Sequence, residues 1–131
     1  MNPQVNAILL GVEDVARAKK FYAEGLGCPL QQDHPGFVQF NLGDGTTSLG
    51  LYPWDHLVKD AGMPGTNKGG FHGFTLSYIV ASKERVDEVM EQAEKAGGKI
   101  LKPAEKQQWG GYSGTFSDPD GYVWKAASNA A

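Results

Sequence analysis

The chain has 131 residues, 40% of them hydrophobic and 21% charged, values in the ordinary globular range that predict one packed domain and exclude wholesale disorder. Its net charge is −3, and no Lys/Arg run interleaves with aromatics, which excludes the basic footprint of a nucleic-acid binder. No apolar run is longer than Ala7–Leu10, too short to cross a bilayer. Asn2-Pro3-Gln4 has no basic or apolar leader character, and the single cysteine, Cys28, excludes an internal disulfide and fits a cytoplasmic location.

Val5–Gly11 reads as a short apolar strand ending at glycine. Asp14 is the expected N-cap of the following helix, its side chain placed to accept from a free backbone amide. Val15, Ala18, Phe21 and Tyr22 recur at helical spacing, with Arg17, Lys19 and Lys20 on the opposite face. Gly25 and Gly27 end the helix by permitting positive φ. Three strands are predicted next, near Pro29–Gln32, Gly36–Leu42 and Thr46–Tyr52, the last two joined by a hairpin at Gly43-Asp44-Gly45. Residues 53–71, rich in Gly, Pro, Asp and Lys, read as a linker or lid.

The pattern then returns. Phe74–Val80 is a strand and Ser82 a cap. Val86, Val89, Met90, Ala93 and Ala96 form one apolar helix face, which Gly97-Gly98 ends. Lys99–Lys102, Tyr112–Ser117 and Tyr122–Ala127 follow as strands. Asp118-Pro119-Asp120-Gly121 turns between the last two, Pro119 presetting φ and Gly121 taking a conformation other residues resist. A shift of 68 residues lays Ala7 on Thr75, Val12 on Val80, Asp14 on Ser82 and Tyr22 on Met90. Strand, helix and three strands thus occur twice, over about 5–52 and 72–127, within a single domain covering residues 1–131. The 18 glycines agree with many turns and short strands rather than a helical bundle.

Gly11-Val12-Glu13-Asp14, Phe21-Tyr22 and Gly25-Leu26-Gly27 resemble the first-half signature of the vicinal oxygen chelate superfamily. This superfamily includes glyoxalase I, extradiol dioxygenases and the bleomycin and fosfomycin resistance proteins. Trp109–Tyr112 and Phe116–Trp124 resemble its second-half signature. The resemblance covers roughly residues 5–127. It implies an α+β fold in which two βαβββ half-repeats form a curved mixed sheet with helices on the convex side, and a homodimer whose concave side holds the site. In metal-dependent members of that family four inward side chains, His or Gln and Glu in each half, hold a divalent cation and leave positions open for a bidentate substrate.

Carried over by position, the four ligand sites fall on Ala7, Gly50, Thr75 and Lys125. Ala7 and Gly50 have no donor, a protonated ammonium has no lone pair to give, and one threonine does not hold a metal. A slip of one residue, to Asn6, Leu49, Phe74 and Trp124, gives nothing better. The expectation is therefore a protein with no metal and no other cofactor, and no catalytic residue is assigned.

Strand parity places Leu9, Tyr52, Thr75, Ser77 and Lys125 on the concave side, Trp124 and Ala126 facing the helices, and Trp109 and Tyr112 in or beside a closing loop. Trp54 begins the opposite lid. Aromatics with a few polar groups suit a flat organic ligand. Lys125 reads either as an anchor for an anionic or carbonyl group or as an apolar stem with its head in water. Trp109 reads either as a stacking group or as a core seal. Of the histidines, His34 and His56 fall in turn-like or loop segments, and His72 lies three residues before Thr75. Cys28 has no activating neighbour and reads as a quiet thiol. The function most consistent with these residues is sequestration of a small, aromatic compound, as the bleomycin-resistance branch implies. The alternatives are a glyoxalase-like lyase or dioxygenase with a non-standard site, and a structural dimer module. A membrane is not an expected partner.

Overall fold

The computed structural model describes residues 5–43, 47–61, 72, 74–108 and 110–129. The chain divides into two compact units, Met1–Lys68 and Gly69–Ala131. The first runs β1 (Ala7–Val12), α1 (Val15–Lys20), a π-helical turn (Phe21–Gly25), β2 (Leu30–His34), β3 (Phe37–Leu42), β4 (Thr47–Pro53) and α2 (Trp54–Asp60). The second runs β5 (Leu76–Ile79), α3 (Lys83–Lys95), β6 (Lys99–Lys106), β7 (Tyr112–Ser117) and β8 (Val123–Ser128). The sheets are ordered β1-β4-β3-β2 and β5-β8-β7-β6. In each, the first strand pairs parallel with the last and the remaining pairs are antiparallel. The fold is α+β, and the repeated topology is the one the 68-residue shift predicts.

The same shift relates the helix starts. Asp14 Oδ1 accepts from the Arg17 amide at 3.1 Å, and Ser82 Oγ accepts from the Arg85 amide at 3.2 Å. Each satisfies one of the orphan donors of a first helical turn. α1 does not continue as a regular helix. Phe21–Gly25 widens into a π-helical turn, closed by the Leu26 amide on the Phe21 carbonyl at 2.9 Å. The widened turn keeps Phe21 and Tyr22 both buried, edge to face at 5.0 Å.

In the first unit Leu10, Val12, Val38, Phe40, Leu49 and Leu51 are fully buried on the α1 side of the sheet, where Tyr22 meets Phe40 at 5.9 Å. In the second unit Val86, Val89, Met90 and Ala93 of α3 are buried against Phe116, Trp124 and Ala126. Phe116 and Trp124 stack almost parallel at 6.3 Å, so Trp124 belongs to the core. The turn after β7 is held by Asp118, whose Oδ1 accepts from the amides of Asp120 and Tyr122, each at 2.9 Å. Gly121 takes φ +92° there, as the turn reading requires.

Three expectations are corrected. Residues 54–60, read as irregular linker, form α2. With Trp54, Leu57 and Val58 at i, i+3 and i+4, this seven-residue helix is too short for periodicity to expose. α2 also departs from the rule of helices on one side. It packs Trp54 and Leu57 over Gly11, which faces away from Leu10 and Val12 and hence away from α1. β6 continues to Lys106 rather than ending at Lys102, passing Pro103 through two register shifts. Proline is tolerated there because an irregular edge strand need not use every amide. Residues 62–71, and 44–46 of the predicted hairpin, lie outside the described residues.

Candidate functional site

Each sheet has one face against its amphipathic helix, α1 or α3, and one face without it. In the first unit the second face is set by register. Leu9 lies beside Gly50, Gly50 beside Gln39, and Gln39 beside Gln32. One row further along, Gly11 lies beside Tyr52, and the Phe37 and Tyr52 rings stack at 4.7 Å. His56 of α2 sits 6.0 Å from the Tyr52 ring. Leu9 is 41% exposed, an unusual value for a leucine in a paired strand. This face is therefore apolar and aromatic at one end and carries amide groups at the other, where Gln32 Nε2 donates to Gln39 Oε1 at 3.0 Å.

The equivalent row in the second unit has different chemistry. Ser77 lies beside Lys125, Lys125 beside Thr115, and Thr115 beside Lys102. Leu9 and Gly50 in one half thus correspond to Ser77 and Lys125 in the other. Lys125 is half-buried on β8, an interior strand of its sheet. Lysine is depleted in such positions because its head must be solvated or paired.

Of the residues expected to line a site, Leu9 and Tyr52 share the first unit's face, and Ser77 and Lys125 are register partners on the second unit's face. Thr75 is exposed just before β5 and shares their parity. Trp109 lies outside the described residues. Tyr112 is placed otherwise than expected. Its strand parity is that of Gly114 and Phe116, and its hydroxyl donates to Asp87 Oδ1 of α3 at 2.7 Å. The Lys83 ammonium stands 5.3 Å from its ring. Tyr112 thus belongs to the α3 side. Its phenol is raised above the ordinary tyrosine range, chiefly by that hydrogen bond to the aspartate. β7 begins at Tyr112 as expected, beside the preceding loop, and what differs is the direction of the side chain, which strand parity and the bond to Asp87 set toward α3.

Phe37, Gln39, Thr115, Lys102 and His56 are the residues that sequence reasoning missed on these faces. Phe37 and Gln39 were legible as alternating strand positions. Their place beside Tyr52 and Gly50 requires the pairing register, which single-strand periodicity does not contain. Thr115 and Lys102 needed the irregular β6 register as well. Among the other sequence candidates, His34 is exposed at the end of β2, and His72 stacks on Tyr122 at 4.8 Å. Cys28 is half-buried with its amide on the Tyr22 carbonyl, and burial pushes its thiol up to about 11.

The positions that resemblance assigns to a metal do not fit one. Among the described residues no three His, Cys, Asp or Glu side chains converge as a metal would need. At Gly50 the space for a side chain is already filled. A Cβ there would lie 2.8 Å from Leu9 Cδ2 and 3.1 Å from Phe37 Cε1, so apolar groups occupy the place of a ligand.

Against known proteins, the sequence profile of the Glyoxalase/Bleomycin resistance protein/Dioxygenase superfamily matches residues 4–126. A comparison with curated proteins gives no match. Among solved structures, the chain is similar to a glyoxalase-related enzyme from Fulvimarina pelagi, with 30% identity, a TM-score of 0.89, and 98% of this chain and 89% of that one covered. It is similar to a superfamily member from Sphaerobacter thermophilus at 26% identity and TM-score 0.73, covering 97% and 98% of the two chains. A family enzyme from Burkholderia phytofirmans, at 21% identity, TM-score 0.81 and 96% and 98% coverage, shares the fold.

Proposed function

The chain belongs to the glyoxalase/bleomycin resistance protein/dioxygenase superfamily, and from that membership we propose that it binds a small, aromatic organic ligand without a metal, sequestering it as a cytoplasmic homodimer. The observation that carries this reading is the content of the positions where the family resemblance puts ligands. Ala7, Gly50, Thr75 and Lys125 offer no donor set, and Leu9 and Phe37 fill the room at Gly50. The stacked Phe37 and Tyr52 rings, with a half-exposed Leu9 on the same face, provide flat apolar surface. Such surface gains from stacking an aromatic ring. Sequestration breaks no bond, so it requires neither a Lewis acid nor a general base.

The second reading is a glyoxalase-like lyase or dioxygenase with its metal held elsewhere. It is favoured by the Fulvimarina pelagi protein, which is described as a glyoxalase-related enzyme. Metal content separates the two. The tag-free protein is prepared without chelators, dialysed against nickel, zinc, manganese or iron, and measured by mass spectrometry. The binding reading expects less than about a tenth of an equivalent per chain, since a functional site saturates near one. A value near one equivalent overturns it in favour of the enzyme. Thermal-shift screening of aromatic compounds then tests binding itself, because a ligand of the native state raises the melting temperature. A flat response across such compounds favours a structural dimer module.

A further inference from the structure

We infer that α2 is a lid on the first unit, opening by local unfolding while the sheet beneath it stays folded, and so controlling access to the aromatic end of that unit's open face. This rests on the reading of the chain as a ligand binder and adds the regulation of its site. The basis is how little holds the helix. Of the three α-helices described, α1 and α3 each start on a side-chain cap and bury part of an apolar face. α2 has no side-chain cap at Pro53 and no fully buried residue. Seven residues are too few to hold a helix in water by themselves, so α2 stays helical only while docked. The contact that docks it is Trp54 and Leu57 on Gly11, where a Cβ would lie 3.0 Å from Trp54 Cε3 and 3.3 Å from Leu57 Cδ2.

The opening is separable because the core lies on the other side of the sheet. Leu10, Val12, Leu49 and Leu51 are buried there, and β1 is paired with β4 from Ala7 to Val12. Undocking α2 removes none of that burial and none of that pairing. Segments held by few buried contacts open at free energies well below that of the whole fold. What α2 covers gives the opening its consequence. Gly11 lies beside Tyr52, whose ring stacks on Phe37 at 4.7 Å and has His56 of α2 6.0 Å away. Undocking withdraws Trp54, His56 and Leu57 from this end of the face. The flat apolar surface of Phe37 and Tyr52 then extends across Gly11, and a ligand ring gains contact that the docked helix denies it. A ligand that needs the open state binds with an apparent affinity scaled by the open fraction.

The test uses the full chain and two readouts, amide hydrogen exchange by NMR and titration with N-phenyl-1-naphthylamine, a neutral aromatic probe that fluoresces on leaving water. Exchange is read at residues 58–61, where the Ala61 amide donates to the Leu57 carbonyl at 2.9 Å, because the first amides of any helix lack an intrahelical acceptor. Expected is exchange there about a hundredfold faster than at Leu49 and Leu51 of β4. Two variants loosen the contact from opposite sides. Leu57→Ala removes a docking group and keeps helix propensity, and Gly11→Val suits a strand and wedges the helix from below. Each is expected to speed α2 exchange about tenfold while the β4 amides change little. Probe affinity rises by the same factor in Leu57→Ala, since both report the open fraction. Exchange at residues 58–61 as slow as in β4, or rising in step with β4 in both variants, overturns the lid. Fast α2 exchange with equal probe affinity in the wild type and Leu57→Ala overturns its control of access. Separate opening of α2 with no probe bound by either protein supports the lid and counts against the aromatic reading instead.

Discussion

At the scale of single residues, two glycines show how the surroundings decide what a side chain costs. A Cβ at Gly50 meets the tip of Leu9 and the edge of Phe37, whereas one at Gly114 meets Met90 Cε at 2.8 Å and the Ala104 backbone at 2.9 Å. Side-chain tips rotate away; backbone in a paired strand does not. Gly114→Ala is expected to cost about 1–3 kcal/mol and Gly50→Ala measurably less, by urea unfolding. Equal costs would mean that Leu9 and Phe37 are held as rigidly as main chain. Cys28 offers a second test. Its thiol rises from an ordinary 9.0 to about 11 because burial disfavours the charged thiolate. Two units correspond to about a hundredfold less thiolate at pH 8, so native protein should react with a disulfide reagent far more slowly than protein in urea. The linkage has a definite sign. The fold favours the protonated thiol, so this contribution to stability is present below pH 9 and is lost as pH rises through 11.

At the scale of elements, the caps are equivalent by design of the repeat. Asp14→Ala and Ser82→Ala each remove one amide acceptor at a helix start and are expected to destabilise by about 1 kcal/mol. An effect near zero for either would show that water replaces the cap. Tyr112 ties β7 to α3 through Asp87. Asp87→Asn should lower its phenol titration toward the ordinary range, readable at the Tyr112 ring by NMR, because the carboxylate acceptor is what raises it. Tyr112→Phe should leave binding of any open-face ligand unchanged, since its hydroxyl is on the α3 side. Lost affinity in that variant would return Tyr112 to the binding surface. α2 was invisible in the sequence for a related reason. Seven residues give two turns, and its apolar positions become meaningful only when Gly11 supplies a flat place for Trp54 and Leu57 to rest.

At the scale of the whole molecule, the proposed dimer predicts a particle of twice the chain mass in light scattering at micromolar concentration. A monomer there would remove the dimer from the proposal without touching the faces of either unit. The repeat itself was legible because its signals are local. Caps, glycine stops and strand alternation each depend on a few neighbouring residues, and they recur at one spacing. The absence of metal donors at Ala7, Gly50, Thr75 and Lys125 was also legible, since it is a matter of residue identity. The family followed from two motifs at fixed spacing.

The sequence by itself therefore determined the class of fold, the two halves and the chemical poverty of the expected metal positions, because composition and short-range pattern carry that information. Only the tertiary structure decided which residues share a row. Strand alternation assigns a residue to a face but not to its neighbours across the sheet, and bulges such as those in β6 shift the register without a clear local signal. Hence Lys125 could be named from the sequence as the informative residue, whereas Ser77 and Thr115 on either side of it, Leu9 and Phe37 over Gly50, and Tyr112 on the α3 side came from pairing and packing alone.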